Sequence, residues 1–364
     1  MAVNGFRVVD ADGHGGEYRN WPSKLPERFA PQFEQWRERC KQHYGKLTLP
    51  GGGLARPGDK FEGKSAVSRV EVREGMHDPA ERLKDMDLEG IDVTVTFPGG
   101  AGEEWAMLDP EFSLALCQAA NNSKAAFCKE GKGRVFALAK LPMIDPPAAA
   151  KELRRAVTEL GLVGMVCTQH VREKNLDHAS FDVVWAEAEK LGVPVCVHGG
   201  GQAPDQYPVC VDRFSTRLEV HAITHPVGNM IALDSFCVGG VFERFPKLRV
   251  AFMESGCGWL PFWLERLDEH YELMSEQAPA IDRKPSEYFM DGHCYISCEP
   301  DEHMLKQVVE LMGDKKIVYA SDYYHWDCAF PDTVKLIAER NDVSDETKKR
   351  ILCENARGLY PLVN

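Results

Sequence analysis

Residues Phe6 to Glu17 run from an apolar stretch into three carboxylates and an imidazole, Asp10, Asp12, His14 and Glu17, with glycines at 13, 15 and 16. On an extended strand Asp12 and His14, two apart, point to one side. A hard oxygen donor beside an imidazole suits a divalent cation, and the glycines let the chain turn there without crowding. On this segment alone a solvated polar loop after a buried strand stays open. Three more apolar runs end in the same way. Val193–Val197 leads into His198, Leu248–Met253 into Glu254, and Lys316–Ala320 into Ser321 and Asp322, with His325 and Trp326 close behind. Four strand ends carrying His, Asp or Glu point, as a set, to one metal or catalytic centre. His221 and His225 are four apart and share a face if that stretch is helical. Pro226 stands against a continuous helix there.

The elements that would position these residues alternate. Strand signals fall at Phe6–Asp10, Val93–Phe97, Val135–Leu138, Gly164–Cys167, Val193–His198, Leu248–Met253, Tyr295–Cys298 and Lys316–Ala320, with Ile231–Phe236 ambiguous. Between them lie amphipathic segments such as Pro110–Lys129, Ala148–Leu160 and Phe181–Leu191. Continuously apolar strands separated by helices predict a parallel sheet covered on both faces. About eight such units favour a closed (β/α)₈ TIM barrel, one α/β domain over residues 1–364. No GxGxxG follows the first strand, which removes the usual dinucleotide reading.

Residues 18–75, rich in Pro, Gly, Arg and Trp and including Pro50–Gly53, form an insertion after the first strand. A lid or subunit contact is expected there, with a mobile excursion as the alternative. Trp21, Trp36 and Trp105 are candidates to close over substrate or to pack in an interface. Trp259, Phe262 and Trp263, at helical spacing, read as core.

A formal net charge of −13, without basic blocks, argues against nucleic acid or an anionic membrane as partner. No apolar run approaches the roughly 18 residues of a membrane span. The twelve cysteines are scattered singly with no CxxC pair. With no secretory leader recognisable at the N-terminus, a reduced, cytoplasmic protein is expected.

The chain resembles the amidohydrolase superfamily, in its branch with aminocarboxymuconate-semialdehyde decarboxylase. The likeness rests on the Asp10-x-Asp12-x-His14 opening, His198, Gly240–Arg249 before the sixth strand, and Ser321-Asp322-Tyr323 at the eighth. It implies that Asp12, His14, His198 and Asp322 hold a divalent metal. Two positions depart from the family: Asp12 replaces the first histidine of the strand-one pair, and Glu254 replaces the sixth-strand histidine. Both add carboxylate. With Glu17, and His221, His225 or His325 nearby, they would furnish a second ion, as in the superfamily's dinuclear non-haem iron oxygenases. The expectation drawn is therefore an iron-type monooxygenase hydroxylating a small carboxylate-bearing substrate, with Fe, Mn or Zn as second ion. Its metal ligands would be Asp12, His14, His198, Asp322, Glu17 and Glu254, and its catalytic groups Glu254, His325 and His221. The alternatives are a mononuclear decarboxylase or hydrolase, with zinc the other candidate metal and Glu254 a general base, and a metal-binding structural subunit. A homo-oligomer, or a hetero-oligomer with a related barrel, is expected.

Overall fold

In a computed structural model, which describes residues 5–46, 73–98, 109–199, 209–210, 213–214, 217–325 and 327–363, the apolar runs form eight parallel strands. They are β1 (Val9–His14), β2 (Val93–Phe97), β3 (Val135–Ala137), β4 (Met165–Thr168), β5 (Val195–His198), β6 (Arg249–Phe252), β7 (His293–Cys298) and β8 (Ile317–Tyr319). Ladders join β1-β2-β3 and β4-β5-β6-β7-β8 in sequence order. Short bridges close the two gaps. Ala139 pairs with Met165, its N–H donating to the Gly164 carbonyl at 2.9 Å. Gly13 pairs with Tyr323, and the Asp322 N–H donates to the Asp12 carbonyl at 3.0 Å. The expected TIM barrel is formed. Its interior is filled by Val95, Leu138, Val166, Cys196, Ala251 and Val318, and the larger core lies between the strands and the surrounding helices.

Local sequence fixes where the helices begin. α2 (Pro79–Glu89), α3 (Pro110–Glu130) and α4 (Pro146–Thr158) each start with Asp-Pro. The aspartates at 78, 109 and 145 accept from backbone N–H groups of the first turn, and proline there loses no hydrogen bond. α2 and α5 (Asp182–Leu191) end on Gly90 and Gly192 in the left-handed conformation.

Some expectations are amended and others kept. α6 (Arg217–Cys237) runs through Pro226 and absorbs Ile231–Phe236, so His221 and His225 share a face, with ring centroids 4.5 Å apart. Within the insertion, α1 (Ala30–Lys46) and the turns before it place Trp21 and Trp36 against a small core of Phe29, Phe112 and Leu116. Residues 47–72, Trp105 and Trp326 lie outside the described residues. Trp259 and Trp263 pack on the core, but Phe262 is 59% exposed. The cysteines whose side chains are described are free thiols. No helix among the described residues is long and apolar enough to cross a membrane.

Candidate metal centre

The barrel brings the chemistry-bearing strand ends to its C-terminal mouth, where strands of this topology expose the residues that follow them. Asp12 and His14 end β1, His198 ends β5, Glu254 follows β6 and Asp322 follows β8. His14 Nε2 lies 2.8 Å from Asp322 Oδ1 and 3.7 Å from Asp12 Oδ1, and His198 Nε2 lies 3.5 Å from Asp12 Oδ2. Asp12 Oδ1, His14 Nε2, His198 Nε2 and Asp322 Oδ1 are buried and face one another as ion pairs rather than in well-aligned hydrogen bonds. Buried polar atoms are ordinarily satisfied, and buried carboxylates without a cation are costly. The donor atoms of Asp12, His14 and His198 lie within 4.8 Å of one another, and Asp322 joins them through His14, which it shares with a second group made with Glu254 and His325; carboxylates and imidazoles gathered in this way fit a divalent ion.

Two of these donors, and the neighbouring Glu254, are held from behind. His198 Nδ1 is 2.7 Å from the Gly199 carbonyl, an acceptor that puts the ring proton on Nδ1 and turns Nε2 inward. Asp322 and Glu254 both have positive φ, 51° and 54°, a conformation that costs free energy and is kept where the surroundings demand it. For Asp322 the surroundings are the bond to Asp12; for Glu254, the backbone N–H donates to Ser297 Oγ at 3.1 Å.

Glu254 faces three imidazoles. His198 Nδ1, His325 Nδ1 and His225 Nε2 lie 3.2, 3.3 and 3.5 Å from its oxygens. His325 Nδ1 is also 2.8 Å from Asp322 Oδ1, and its ring stacks on His14 at 3.8 Å. These pairings set the proton distribution. Burial works to lower the His198 pKa, but Glu254 and Asp12 outweigh it and push it up to about 9. Against the same opposing burial, Asp322 and Glu254 hold His325 well above its ordinary value. Burial works to raise Asp322 and Glu254. His325 and His14 nevertheless bring Asp322 down to about 2, and His198 and His225 hold Glu254 well below the usual carboxylate range.

The other expected donors are placed differently. Glu17 is not brought into the group: its Oε1 lies 3.4 Å from Lys140 Nζ and 3.9 Å from Lys124 Nζ, so two buried lysines take its charge. His221 stands at the rim, 3.8 Å from Asp327. One neighbour was missed. Glu299 follows β7, and burial, then Asp322 and Glu254, push its carboxyl up to about 8. The strand-end rule that flagged Glu254 would have flagged it too.

Residues 26–362 match the amidohydrolase family, and the chain belongs to it. It is 32% identical to a 2-amino-3-carboxymuconate-6-semialdehyde decarboxylase of Dictyostelium discoideum, over 79% of this chain and 77% of that one. It is 26% identical to a gamma-resorcylate decarboxylase of a Rhizobium species, over 77% and 86%. Among solved structures, a 5-carboxyvanillate decarboxylase of Novosphingobium aromaticivorans with bound manganese superposes with a TM-score of 0.74. It is 20% identical, with 98% of this chain and 97% of that one covered.

These relatives overturn the expectation of a dinuclear iron monooxygenase and favour the alternative, a mononuclear metal-dependent decarboxylase. Glu254 is engaged by three imidazoles, and so its presence does not by itself call for a second ion.

Proposed function

We propose that the protein is a divalent-metal-dependent decarboxylase acting on a small conjugated or aromatic carboxylate. Asp12, His14, His198 and Asp322 would hold the ion, which when bound supplies a Lewis acid for the substrate's oxygens. The observation that carries the reading is the buried cluster of Asp12, His14 and His198 at the ends of β1 and β5, with Asp322, after β8, 2.8 Å from His14, in a chain whose relatives at 32% and 26% identity are named as decarboxylases.

The remaining residues manage a proton. Decarboxylation breaks the bond to the carboxyl carbon, leaves the electron pair on the substrate and releases CO₂; a proton must then fill the vacated position. His325 suits that role, because Asp322 and Glu254 hold it protonated and its ring is 31% exposed against 2% for His14. With Nδ1 turned to the two carboxylates, its other nitrogen carries the transferable proton. Solvent then restores it. His221, at the rim, is assigned to contact with substrate, and Glu254 to keeping His325 charged and His198 oriented.

Manganese is the ion to try first, since it is present in the 5-carboxyvanillate decarboxylase and suits carboxylate-rich sites. Manganese-loaded protein should release CO₂ from one of aminocarboxymuconate semialdehyde, 2,6-dihydroxybenzoate or 5-carboxyvanillate without consuming O₂, and chelator should stop it. A protein that retains no metal and releases no CO₂ from any of the three would refute the proposal.

A further inference from the structure

Two buried charged residues that the metal centre does not use, Asp10 and Arg82, lie directly behind it. Arg82, on α2, is 1% exposed, and Asp10, on β1, is fully buried. Buried charges are weak as a source of stability, and apolar side chains would fill the same volume. Where the contacts end is informative. Arg82 Nη1 donates to the carbonyl of His14 at 2.9 Å, and Nη2 donates to Thr94 Oγ1 at 3.1 Å. Thr94 Oγ1 passes the contact on to Asp10 Oδ2 at 2.7 Å. Asp10 then accepts from Ser321 Oγ at 2.8 Å, Ser321 N at 2.9 Å and Asp12 N at 3.2 Å.

Every end of this chain lies on or beside a candidate ligand: His14 itself, Asp12 itself, and Ser321 one residue before Asp322. The guanidinium also sits 3.9 Å over the ring of Tyr323, the residue after Asp322. Tyr323 is anchored in turn by its hydroxyl on Asp85, which Arg73 Nε holds at 2.9 Å. Gly13, between Asp12 and His14, belongs to the same construction. A Cβ there would press closer than van der Waals contact on Arg82 Nη2, Asp10 Oδ2 and Thr94 Oγ1. The polar chain therefore fills the space behind the strand that carries two of the donors.

We propose that Arg82 is a positioning residue for the metal ligands, which through the His14 carbonyl, Thr94 and Asp10 sets the spacing between the ends of β1 and β8. The inference rests on the reading of Asp12, His14, His198 and Asp322 as the ligand set. Arg82 touches neither ion nor substrate. It holds the backbone from which His14 projects and reaches, through Thr94, the carboxylate that ties Ser321 to β1.

The test is Mn²⁺ affinity of the full chain, read by the EPR signal of free Mn²⁺ and by titration calorimetry, alongside the thermal midpoint. Arg82→Lys keeps the charge but loses the two-pronged contact; Thr94→Val keeps both charges and breaks the link between them. Both should weaken Mn²⁺ binding about 10- to 100-fold, the range for partners that orient a ligand, and broaden the EPR spectrum of the bound ion. Should Arg82→Lys fail to give folded protein, Thr94→Val decides alone. A lowered thermal midpoint with Mn²⁺ affinity within twofold of wild type would show a merely structural role and overturn the proposal. His198→Ala separates this from the reading beneath it. If His198→Ala abolishes Mn²⁺ binding while Thr94→Val leaves it unchanged, the positioning role falls and the metal centre stands. If His198→Ala also binds normally, the ligand assignment itself is wrong, and Arg82 positions nothing.

Discussion

With His198 as a ligand, as proposed, metal loading should depend steeply on pH above neutrality, because a proton and a cation would compete for its ring. Its pKa stands at about 9 against an ordinary 6.5, a difference worth about 3 kcal/mol of extra proton affinity. At pH 7 the metal-free protein would then carry a proton on the nitrogen that the ion would use, and binding would expel it. With a pKa of about 9, Mn²⁺ affinity should rise about ninefold between pH 7 and pH 8; an ordinary histidine would give about 1.3-fold. Calorimetric titration in two buffers of different ionisation heat reads both the affinity and the proton count, expected near one per ion. The metal-free protein should behave oppositely. A raised histidine pKa contributes stability that is full below about pH 6.5 and is lost as pH climbs through about 9. An affinity change under about twofold from pH 7 to pH 8, with little proton release, would refute the charge distribution described for Glu254, Asp12 and His198.

Three further outcomes are expected. Glu254→Gln removes the foremost charge holding His198 up, so the steep rise in Mn²⁺ affinity should move to lower pH in the same titration. His325→Asn should leave Mn²⁺ affinity within about threefold while lowering kcat for CO₂ release by about 10²- to 10⁴-fold, the usual worth of a positioned acid. Trp185→Ala, which empties a fully buried site packed on Phe181 and Phe236 and frees the Leu176 carbonyl, should cost about 3–5 kcal/mol in a denaturant titration.

The barrel was legible in the sequence because most strands are short, largely apolar and buried, and several end in a recognisable change of residue type. The convergence of Asp12, His14, His198, Glu254 and Asp322 followed from that one rule. Glu17 was misplaced for a local reason. Spacing puts it three residues after His14, but the chain turns at Gly15 and Gly16, with φ of 96° and 83°, and the carboxylate lies beside the buried Lys124 and Lys140. Pro226 misled in the opposite sense, since a helix with good flanking contacts tolerates one lost bond. The chemistry was misjudged because donor types specify what ion a site can hold, not what is done to the substrate beside it. Arg82 and Asp10 were invisible for a third reason: only the closed fold reveals which backbone groups they reach.

The closing bridge between β1 and β8 carries a consequence for how this protein comes into being. Asp12 and Asp322 are joined by a backbone hydrogen bond across more than three hundred residues of chain, and on the reading above they would share one ion. A site made of the first and last strands does not exist on a nascent or truncated polypeptide. A cation that prefers the closed ring over the open one would stabilise the seam in proportion to the logarithm of its concentration over its dissociation constant. The last step of assembly would then answer to the metal supply of the cell, and scarcity would leave barrels that are complete in sequence yet easily parted at one edge.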